Sequence, residues 1–499
     1  MRSAILAPTM ATPGESLLPA LASPVVPVAT AAVRKQAWWV FALALLLFAS
    51  LTHHRVFQAG NDASRFAAIE SLVDFHETYI DHSRFRGTVD RVTIGGHDYS
   101  NKPPLLSLAG AGLYAGIKAA TGWSLTSQPD RIVYLLTLLL VGLPAAGLAA
   151  QFFLALGMYR DLPWRHRCGL TLAVMAGTLL TSFAGTLNNH VPAAVLLFAA
   201  LVAALRGQGA RAGLWTGLAA CVDVLPGIGL APVFLWVLRD TGGRRALLRA
   251  GAALAGCAAL FLAANMFVLG SPWLPKLVPG SVDHSARNVA AVGGVLLPEH
   301  WTYPVECLFG GHGFFSVSPI LLFGAAGMVL ACSRPGPFRR RWVLLLSAGV
   351  GVQILGHIVF AGSYGGWSYG FRYLIPVMPL LLLFAPAAME GWRSRLFAAV
   401  LPLSMALALL GAYHPWPPVY EQAVNDEPVA SLVTNPIGGN AASWAASWAP
   451  ESAVARSLGA AFISRDDESR KRYLALFFSS RGDWEKAWLF VPPQELTSQ

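Results

Sequence analysis

The chain has 499 residues, of which 55% are hydrophobic and only 12% are charged, and its mean hydropathy is +0.52. This composition excludes an ordinary soluble globular protein and indicates a polytopic membrane protein with room for many spans of about 20 residues. The net charge of +10 does not indicate nucleic-acid binding, because the basic residues form short clusters between apolar runs, as positive-inside loops do. The clusters begin at Arg34, Arg160, Arg206, Arg239, Arg334 and Arg393.

The N-terminal segment 1–36 is rich in Ala, Pro, Ser and Thr. It lacks the order of charges, apolar stretch and cleavage site that a signal peptide has, so we predict a disordered cytoplasmic tail.

The five cysteines are scattered, mostly in or beside apolar runs, and have no metal-ligand spacing. We expect them to behave as small hydrophobic side chains.

The basic clusters constrain the number of membrane crossings. If every cluster is cytoplasmic, an even number of spans separates consecutive clusters. The apolar run 103–120 then does not cross but lies along the outer surface or re-enters the membrane. The segment between Arg211 and Arg239 is too short for two full spans, so we predict two short helices that meet at Asp223. The other predicted spans are 38–52, 132–153, 170–187, 191–205, 250–269, 316–331, 342–360, 374–388 and 397–412.

These spans add up to about eleven transmembrane helices, an odd number that places the C-terminus outside. The predicted membrane module covers residues 37–413, with external loops at 53–130 and 271–315. An external C-terminal region follows at 414–499, either as a small folded cap or as a surface-bound segment.

In the stretch GNDASRFAAIESLVDF, apolar residues such as Phe66 and Ile69 recur at helical spacing. This pattern predicts an amphipathic helix on the membrane surface that begins near Asn61 or Asp62. Asp62 has two interpretations: an N-cap, or a general base just after a membrane span.

Lys102 lies in the stretch VTIGGHDYSNKPPLLS. Gly95 and Gly96 predict a turn, and Pro103 and Pro104 predict the start of the next helix. An ammonium beside a helix start favours an anion, and a phosphate at the membrane surface fits both. The alternative is a lysine that only extends to the membrane interface.

The stretch YGGWSYGFRYLIP places Arg372 directly before a predicted span, with glycines that allow close backbone approach. A planar guanidinium suits a phosphate, whereas an aromatic belt explains Trp367, Tyr369 and Tyr373 equally well. Because Lys102 and Arg372 are predicted at the same membrane face, together they favour a lipid-phosphate site, with Tyr369 and Tyr373 beside it.

Asp223 is a carboxylate in an apolar segment, which costs about 2.5 to 3.5 kcal/mol on insertion scales and usually faces a polar cavity. The alternative is an exposed turn residue. The possible substrate-binding residues are Arg65, Asp98, Tyr99, Asn189, His190, Asp223 and His312. Further candidates for an acceptor site are His284, Arg287, Glu299 and His300, although ordinary surface positions explain them as well; none of the histidines has zinc-ligand spacing.

These motifs resemble the GT-C superfamily, membrane glycosyltransferases that use polyprenyl-phosphate sugars and include bacterial family 39 enzymes, aminoarabinose transferases and protein mannosyltransferases. The resemblance covers most of the membrane region and rests on NDASRF, YSNKPPLL, short outward hairpins and GGWSYGFRYLIPVMPLL. KPPL is the most specific of these motifs. The resemblance implies an all-α polytopic protein of GT-C-like architecture in the bacterial inner membrane. Its N-terminus would be cytoplasmic, and its active site, juxtamembrane helices and C-terminus external.

The resemblance also implies that Asp62 activates an acceptor hydroxyl and that Lys102, with Arg372, holds the phosphate of the donor. The sugar would pass with inversion from a polyprenyl-phosphate donor to an envelope lipid, glycan or protein. This scheme requires no cofactor, although a divalent metal stays an alternative, and it involves no nucleic acid.

Two departures from the family pattern bear on this scheme. Relatives often have an Asp-Glu pair where this chain has Asn61 and Asp62, and an acidic residue where it has Asn101. A second carboxylate would have to come from Asp98 or Asp223.

Two other classes of protein stay open: a transporter or flippase of a lipid-linked or anionic solute, and a noncatalytic scaffold. A transporter needs polar residues accessible from both sides, whereas here they are predicted on one face.

Overall fold

The computed structural model describes residues 29–57, 60–285, 302–334, 336–361, 368–418 and 436–491. Within these ranges, five helices are long and apolar enough to cross a membrane, and five shorter apolar helices accompany them. The prediction of a helical, polytopic membrane protein is confirmed.

The first half of the chain begins with a spanning helix and then forms a long loop. Its elements are α1 (Ala31–Leu51), α2 (Asn61–Glu70), β1 (Arg91–Ile94), β2 (His97–Ser100), α3 (Leu105–Thr121), α4 (Pro129–Met158), α5 (Trp164–Ala176), α6 (Leu179–Phe183), α7 (His190–Leu205) and α8 (Gly209–Val222). Helix α1 begins before the first predicted span because the Thr30 hydroxyl caps it by accepting a hydrogen bond from the Val33 amide. The predicted span 170–187 is interrupted between α5 and α6.

The second half contains the longest helix and a C-terminal group of four helices. Its elements are α9 (Val224–Leu269), β3 (Val282–Asp283), α10 (Thr302–Phe309), α11 (Leu321–Ala331), α12 (Arg340–Ala361), α13 (Arg372–Leu382), α14 (Trp392–Tyr413), α15 (Ile437–Trp448), α16 (Ala453–Phe462), α17 (Asp467–Ser480) and α18 (Trp484–Ala487). Helix α9 is two helices joined at a kink, where Gly243 has a φ of +65°. The predicted pair of helices that meet at Asp223 is confirmed by the boundary between α8 and α9.

A small antiparallel sheet interrupts the helical architecture. Strands β1 and β2 form a hairpin in which Arg91 faces Ser100, and β3 pairs with the other edge of β1. The predicted turn at Gly95 and Gly96 is confirmed: both glycines have positive φ, +60° and +92°, which a tight hairpin turn requires. The sheet brings the segment around Asp283 against the first loop.

The start of α2 at Asn61 is confirmed, but the predicted amphipathic exposure, with one face in solvent, is wrong, because all ten of its residues are buried. Strand β2 and helix α3 pack against it. Helix α3, formed by the apolar run 103–120, keeps an exposed face, with Leu113 38% exposed. The helical period identified α2, but its burial depends on how the rest of the loop folds over it.

Two apolar cores hold the structure together. The larger core joins the spanning helices, α2 and α3, and the smaller one joins α15 to α18 around Phe477 and Phe478. The smaller core packs against Tyr413 at the end of α14. The C-terminal helices are therefore attached to the membrane module at the point where α14 ends.

Candidate active site

The backbone at Gly60 positions Asp62. Gly60 precedes α2 with a φ of +94°, and a Cβ there would lie 2.9 Å from Val89 Cγ2, so glycine suits the position in both respects. Asp62 Oδ1 accepts a hydrogen bond from the Ala63 amide at 3.0 Å, and Oδ2 accepts one from the Phe57 amide at 3.1 Å. Because Gly60 is the N-cap residue of α2, the interpretation of Asp62 as the N-cap is wrong.

Asp62 is only 2% exposed. Burial raises the pKa of its carboxyl from 3.8 to about 7, although the backbone amides of Phe57, Asp62 and Ala63 and the nearby Arg65 oppose this effect. A carboxyl that titrates near neutral pH can both accept and release a proton under ordinary conditions. The structure therefore gives Asp62 the acid–base property that a general base needs.

Arg65 lies one turn further along α2 and is 1% exposed. Its Nη1 donates to the backbone oxygen and Oδ1 of Asn61 at 3.1 and 3.0 Å, and its Nη2 donates to Asn189 Oδ1 at 2.8 Å. Burial lowers its pKa to about 10, against the opposing charges of nearby carboxylates, so the guanidinium is charged at pH 7.

The direct partners of Arg65 are neutral. Within the described ranges, no carboxylate lies at ion-pair distance from Arg65, and its buried Nε has no hydrogen-bond partner on the protein. A buried guanidinium with unused donor capacity is suited to an anion such as a phosphate.

Lys102 lies two residues after the end of β2 and forms an ion pair with Asp90, with 2.8 Å between Nζ and Oδ2. Their side chains are 16% and 15% exposed. Burial lowers the pKa of Lys102 to about 8, and Asp90 opposes the decrease. Burial alone would raise the pKa of Asp90, but Lys102, together with Arg372 and Lys276, outweighs it and holds that pKa below its ordinary value.

Asp90 was not predicted from the sequence. It is brought to Lys102 by the hairpin, in which the Asn101 amide donates to the Asp90 backbone oxygen at 3.3 Å. The two glycines in the sequence could have indicated this contact. A hairpin that turns at Gly95 and Gly96 pairs Arg91 with Ser100, and this pairing brings Asp90 and Lys102 close together. The carboxylate beside the lysine therefore comes from the residue that immediately precedes the other hairpin strand.

Arg372, at the start of α13, is 7% exposed and lies between two aromatic rings. Its Cζ is 5.1 Å from the ring centroid of Tyr373 and 4.8 Å from that of Trp416. The charge of Arg372 acts on both Arg65 and Asp90, which places all three in one electrostatic cluster. Trp416 was not indicated by any sequence motif. Together with Tyr373 it forms an aromatic cage around the Arg372 guanidinium.

Asn189, His190 and Asp223 adjoin this cluster. His190 Nδ1 and Asp223 Oδ2 are 2.7 Å apart, and both side chains are largely buried. Asn189 contacts Arg65, and the charge of Asp223 also acts on Arg65. Asp223 is therefore a buried carboxylate with a specific partner, and the alternative of an exposed turn residue is wrong.

The structure brings only some of the predicted residues into this cluster. Tyr373 joins it through its edge-on contact with His190, whereas the Tyr369 hydroxyl donates to the Leu407 backbone oxygen inside the helical core. Asp98 forms an ion pair with Arg91 at 3.0 Å on the hairpin. The other predicted residues lie as follows: Tyr99 beside Tyr79, His312 against the Ser368 backbone oxygen, His284 against Thr93, and Arg287, Glu299, His300 and Trp367 outside the described residues.

In the described part of the chain, no group of three His, Cys, Asp or Glu side chains is placed to hold a metal ion.

No protein-family model and no curated protein matches the chain. Among solved structures, it is similar to ArnT from Cupriavidus metallidurans in the apo state, with 16% identity, a TM-score of 0.46, and coverage of 93% of this chain and 78% of that one. It is likewise similar to ArnT from the same organism bound to undecaprenyl phosphate, with 18% identity, a TM-score of 0.45, and coverage of 92% and 78%.

Proposed function

We propose that this chain is an integral membrane glycosyltransferase that moves a sugar from a polyprenyl-phosphate donor to a hydroxyl group of an envelope lipid, glycan or protein. The reaction would take place at the external face of the membrane. One observation carries the proposal: the cationic side chains of Arg65, Lys102 and Arg372 belong to one electrostatic cluster, and Arg65 of that cluster acts on Asp62, a buried carboxyl with a pKa of about 7.

Asp62 is the proposed general base. Its carboxylate, oriented by the Phe57 and Ala63 amides, accepts the proton of the acceptor hydroxyl as that oxygen attacks the anomeric carbon of the sugar. A new bond forms between the acceptor oxygen and the anomeric carbon while the bond from that carbon to the phosphate oxygen breaks. The electron pair of the broken bond leaves with the polyprenyl phosphate, and attack from the opposite face inverts the anomeric centre.

The three cations supply the site for the leaving phosphate. Arg65 provides a guanidinium whose direct partners are neutral, so an anion would be its first charged ligand. Lys102 would share its ammonium between the phosphate and Asp90, and Arg372 adds a charge held in place by Tyr373 and Trp416. Cations fixed before the reaction stabilise the charge that develops on the leaving group without having to reorganise.

The proposal is tested with the full-length protein in lipid vesicles, supplied with a panel of polyprenyl-phosphate sugars and with candidate acceptors. The measurement is sugar transfer or sugar release. We expect Asp62→Asn to lower turnover by about 10²- to 10⁴-fold, the usual contribution of a general base. We expect Lys102→Ala to lower it by about 100-fold, because a preorganised charge at the leaving group is lost.

Matched variants control for general damage to the fold. Lys118→Ala breaks an ion pair of 2.7 Å with Asp74, and Asp240→Asn breaks one of 2.9 Å with Arg341. Both controls should keep wild-type turnover. Equal losses in Lys118→Ala and Lys102→Ala would argue against a specific role for Lys102, and movement of intact donor across the bilayer without cleavage would favour transport instead.

A further inference from the structure

A groove between α5 and α14 lies at the basic ends of these two helices. It has a volume of about 830 Å³ and begins beside Arg165 and Arg395, next to the start of each helix. Helix α14 is long and apolar enough to cross the membrane, and α5 packs against it. The groove is separate from the cluster around Asp62, because none of its lining residues belongs to that cluster.

Two tryptophans indicate where the open end of the groove lies relative to the membrane. Trp164 and Trp392 are the first residues of α5 and α14, and they are 54% and 70% exposed. Exposed tryptophans at the ends of apolar helices are typical of the interface between lipid and water. Arg165 and Arg395 are therefore at the level of the lipid headgroups.

The two arginines are available for an anion. Within the described ranges, neither Arg165 nor Arg395 has a carboxylate at ion-pair distance, whereas nearby Arg334 and Arg393 both pair with Glu390, at 2.7 and 3.6 Å. Among the described residues, no acidic side chain lines the groove. The mouth of the groove therefore carries positive charge that the protein itself does not neutralise.

The floor of the groove is apolar and matches one lipid leaflet in length. Phe397 and Leu401 form part of it and are buried, and Met405 lies at its far end. Met405 lies ten positions after Arg395, which corresponds to a rise of about 15 Å along a helix. This is about half of a hydrocarbon core that is about 30 Å thick.

We propose that this groove binds one anionic phospholipid of the surrounding bilayer. The lipid phosphate contacts Arg165 and Arg395, and an acyl chain lies over Phe397 and Leu401 toward Met405. A basic pocket between membrane helices is a known form of site for acidic lipid headgroups. The site acts independently of the proposed transferase chemistry.

The test uses the full-length protein, delipidated in detergent and titrated with dioleoyl phosphatidylglycerol or dioleoyl phosphatidylcholine, with bound lipid counted by native mass spectrometry. We expect the wild type to bind the anionic lipid more tightly. The double variant Arg165→Gln/Arg395→Gln should weaken its binding about 30-fold, or about fivefold for each arginine. The control Arg244→Gln/Arg245→Gln removes the same charge from exposed arginines near the kink of α9 and should keep wild-type affinity.

A second variant tests the acyl-chain part of the site. Ala398 lines the groove from an exposed position, so Ala398→Trp fills the groove without crowding the core. It should lower phosphatidylglycerol binding at least fivefold while both arginines stay in place. Equal wild-type affinity for the two lipids would overturn the proposal, and so would an equal loss in the Arg244/Arg245 control or full binding by Ala398→Trp.

Discussion

At the scale of single residues, Asp62 has a titration behaviour that can be measured without any substrate. Its carboxyl has a pKa of about 7 in the folded chain, against 3.8 when unperturbed, because burial disfavours the charged form. The folded state therefore binds this proton more tightly than the unfolded state does. Stability contributed by the protonated carboxyl is present below pH 4 and is lost as the pH rises from about 4 to about 7.

We therefore predict that Asp62→Asn removes this dependence on pH. An increase of about 3 in pKa corresponds to about 4 kcal/mol, so the melting temperature of the wild type relative to Asp62→Asn should fall steadily between pH 4 and pH 7. Thermal unfolding of the purified protein across this range measures the difference. Asp283→Asn serves as the control, because the lowered pKa of Asp283 gives only a small dependence of opposite sign, at the acid end of this range. A constant difference between wild type and Asp62→Asn would contradict the raised pKa.

Residue types and local spacing indicated Asp62, Lys102 and Arg372 as candidates, because each stands at the start of a predicted helix or span. They did not indicate Asp90 or Trp416. Asp90 reaches Lys102 through hairpin register, and Trp416 reaches Arg372 from a distant part of the chain. Contacts between residues far apart in sequence depend on the packing of whole elements, which a single sequence does not specify.

At the scale of elements, α8 and the second half of α9 approach closely because of glycines four residues apart. A Cβ on Gly213 would lie 2.3 Å from the backbone oxygen of Ala250, and one on Gly209 would lie 2.1 Å from that of Ala246. Small residues at this spacing let the backbones of membrane helices pack against each other. The sequence predicted both helices, but only the structure shows that their glycines face the same partner.

We predict that Gly213→Ala destabilises the folded protein, because its Cβ meets backbone that cannot move aside. The expected cost is about 1 to 3 kcal/mol, the range typical of overpacked cores, and should appear as a lower melting temperature in detergent. Gly251→Ala and Gly256→Ala are matched controls, since a Cβ at either position meets nothing within 4 Å. Equal melting temperatures for Gly213→Ala and the controls would show that α8 and α9 are not packed this closely.

At the scale of the whole molecule, the C-terminal helices support the candidate site from a distance. Asn440 of α15 donates to the backbone oxygens of Leu410 and His414 at 2.9 and 3.0 Å. His414 also bonds Ser480 of α17 at 2.8 Å. Two residues further on, Trp416 packs against Arg372, so the helices that hold the end of α14 also hold one wall of the cage around that guanidinium.

The sequence does not predict this arrangement, because its composition is compatible both with a small folded cap and with a surface-bound segment at 414–499. Its helices are short, and their apolar faces form a core only when they pack together around Phe477 and Phe478. In the structure, the described part of this segment is folded around an apolar core of its own. Its attachment through Asn440 and His414 makes it a structural support for the membrane module.

We predict that Asn440→Ala loosens this support and weakens donor binding as well. The variant leaves the Leu410 and His414 oxygens without their side-chain donor, at a cost of about 1 to 3 kcal/mol for buried groups. The melting temperature should fall, and the KM for a polyprenyl-phosphate sugar should rise because Trp416 no longer fixes Arg372. Asn265→Ala is the control, since among the described residues Asn265 bonds only within α9, to the Phe261 oxygen. A lower melting temperature with an unchanged KM would mean that the C-terminal helices stabilise the protein without holding Arg372 in place.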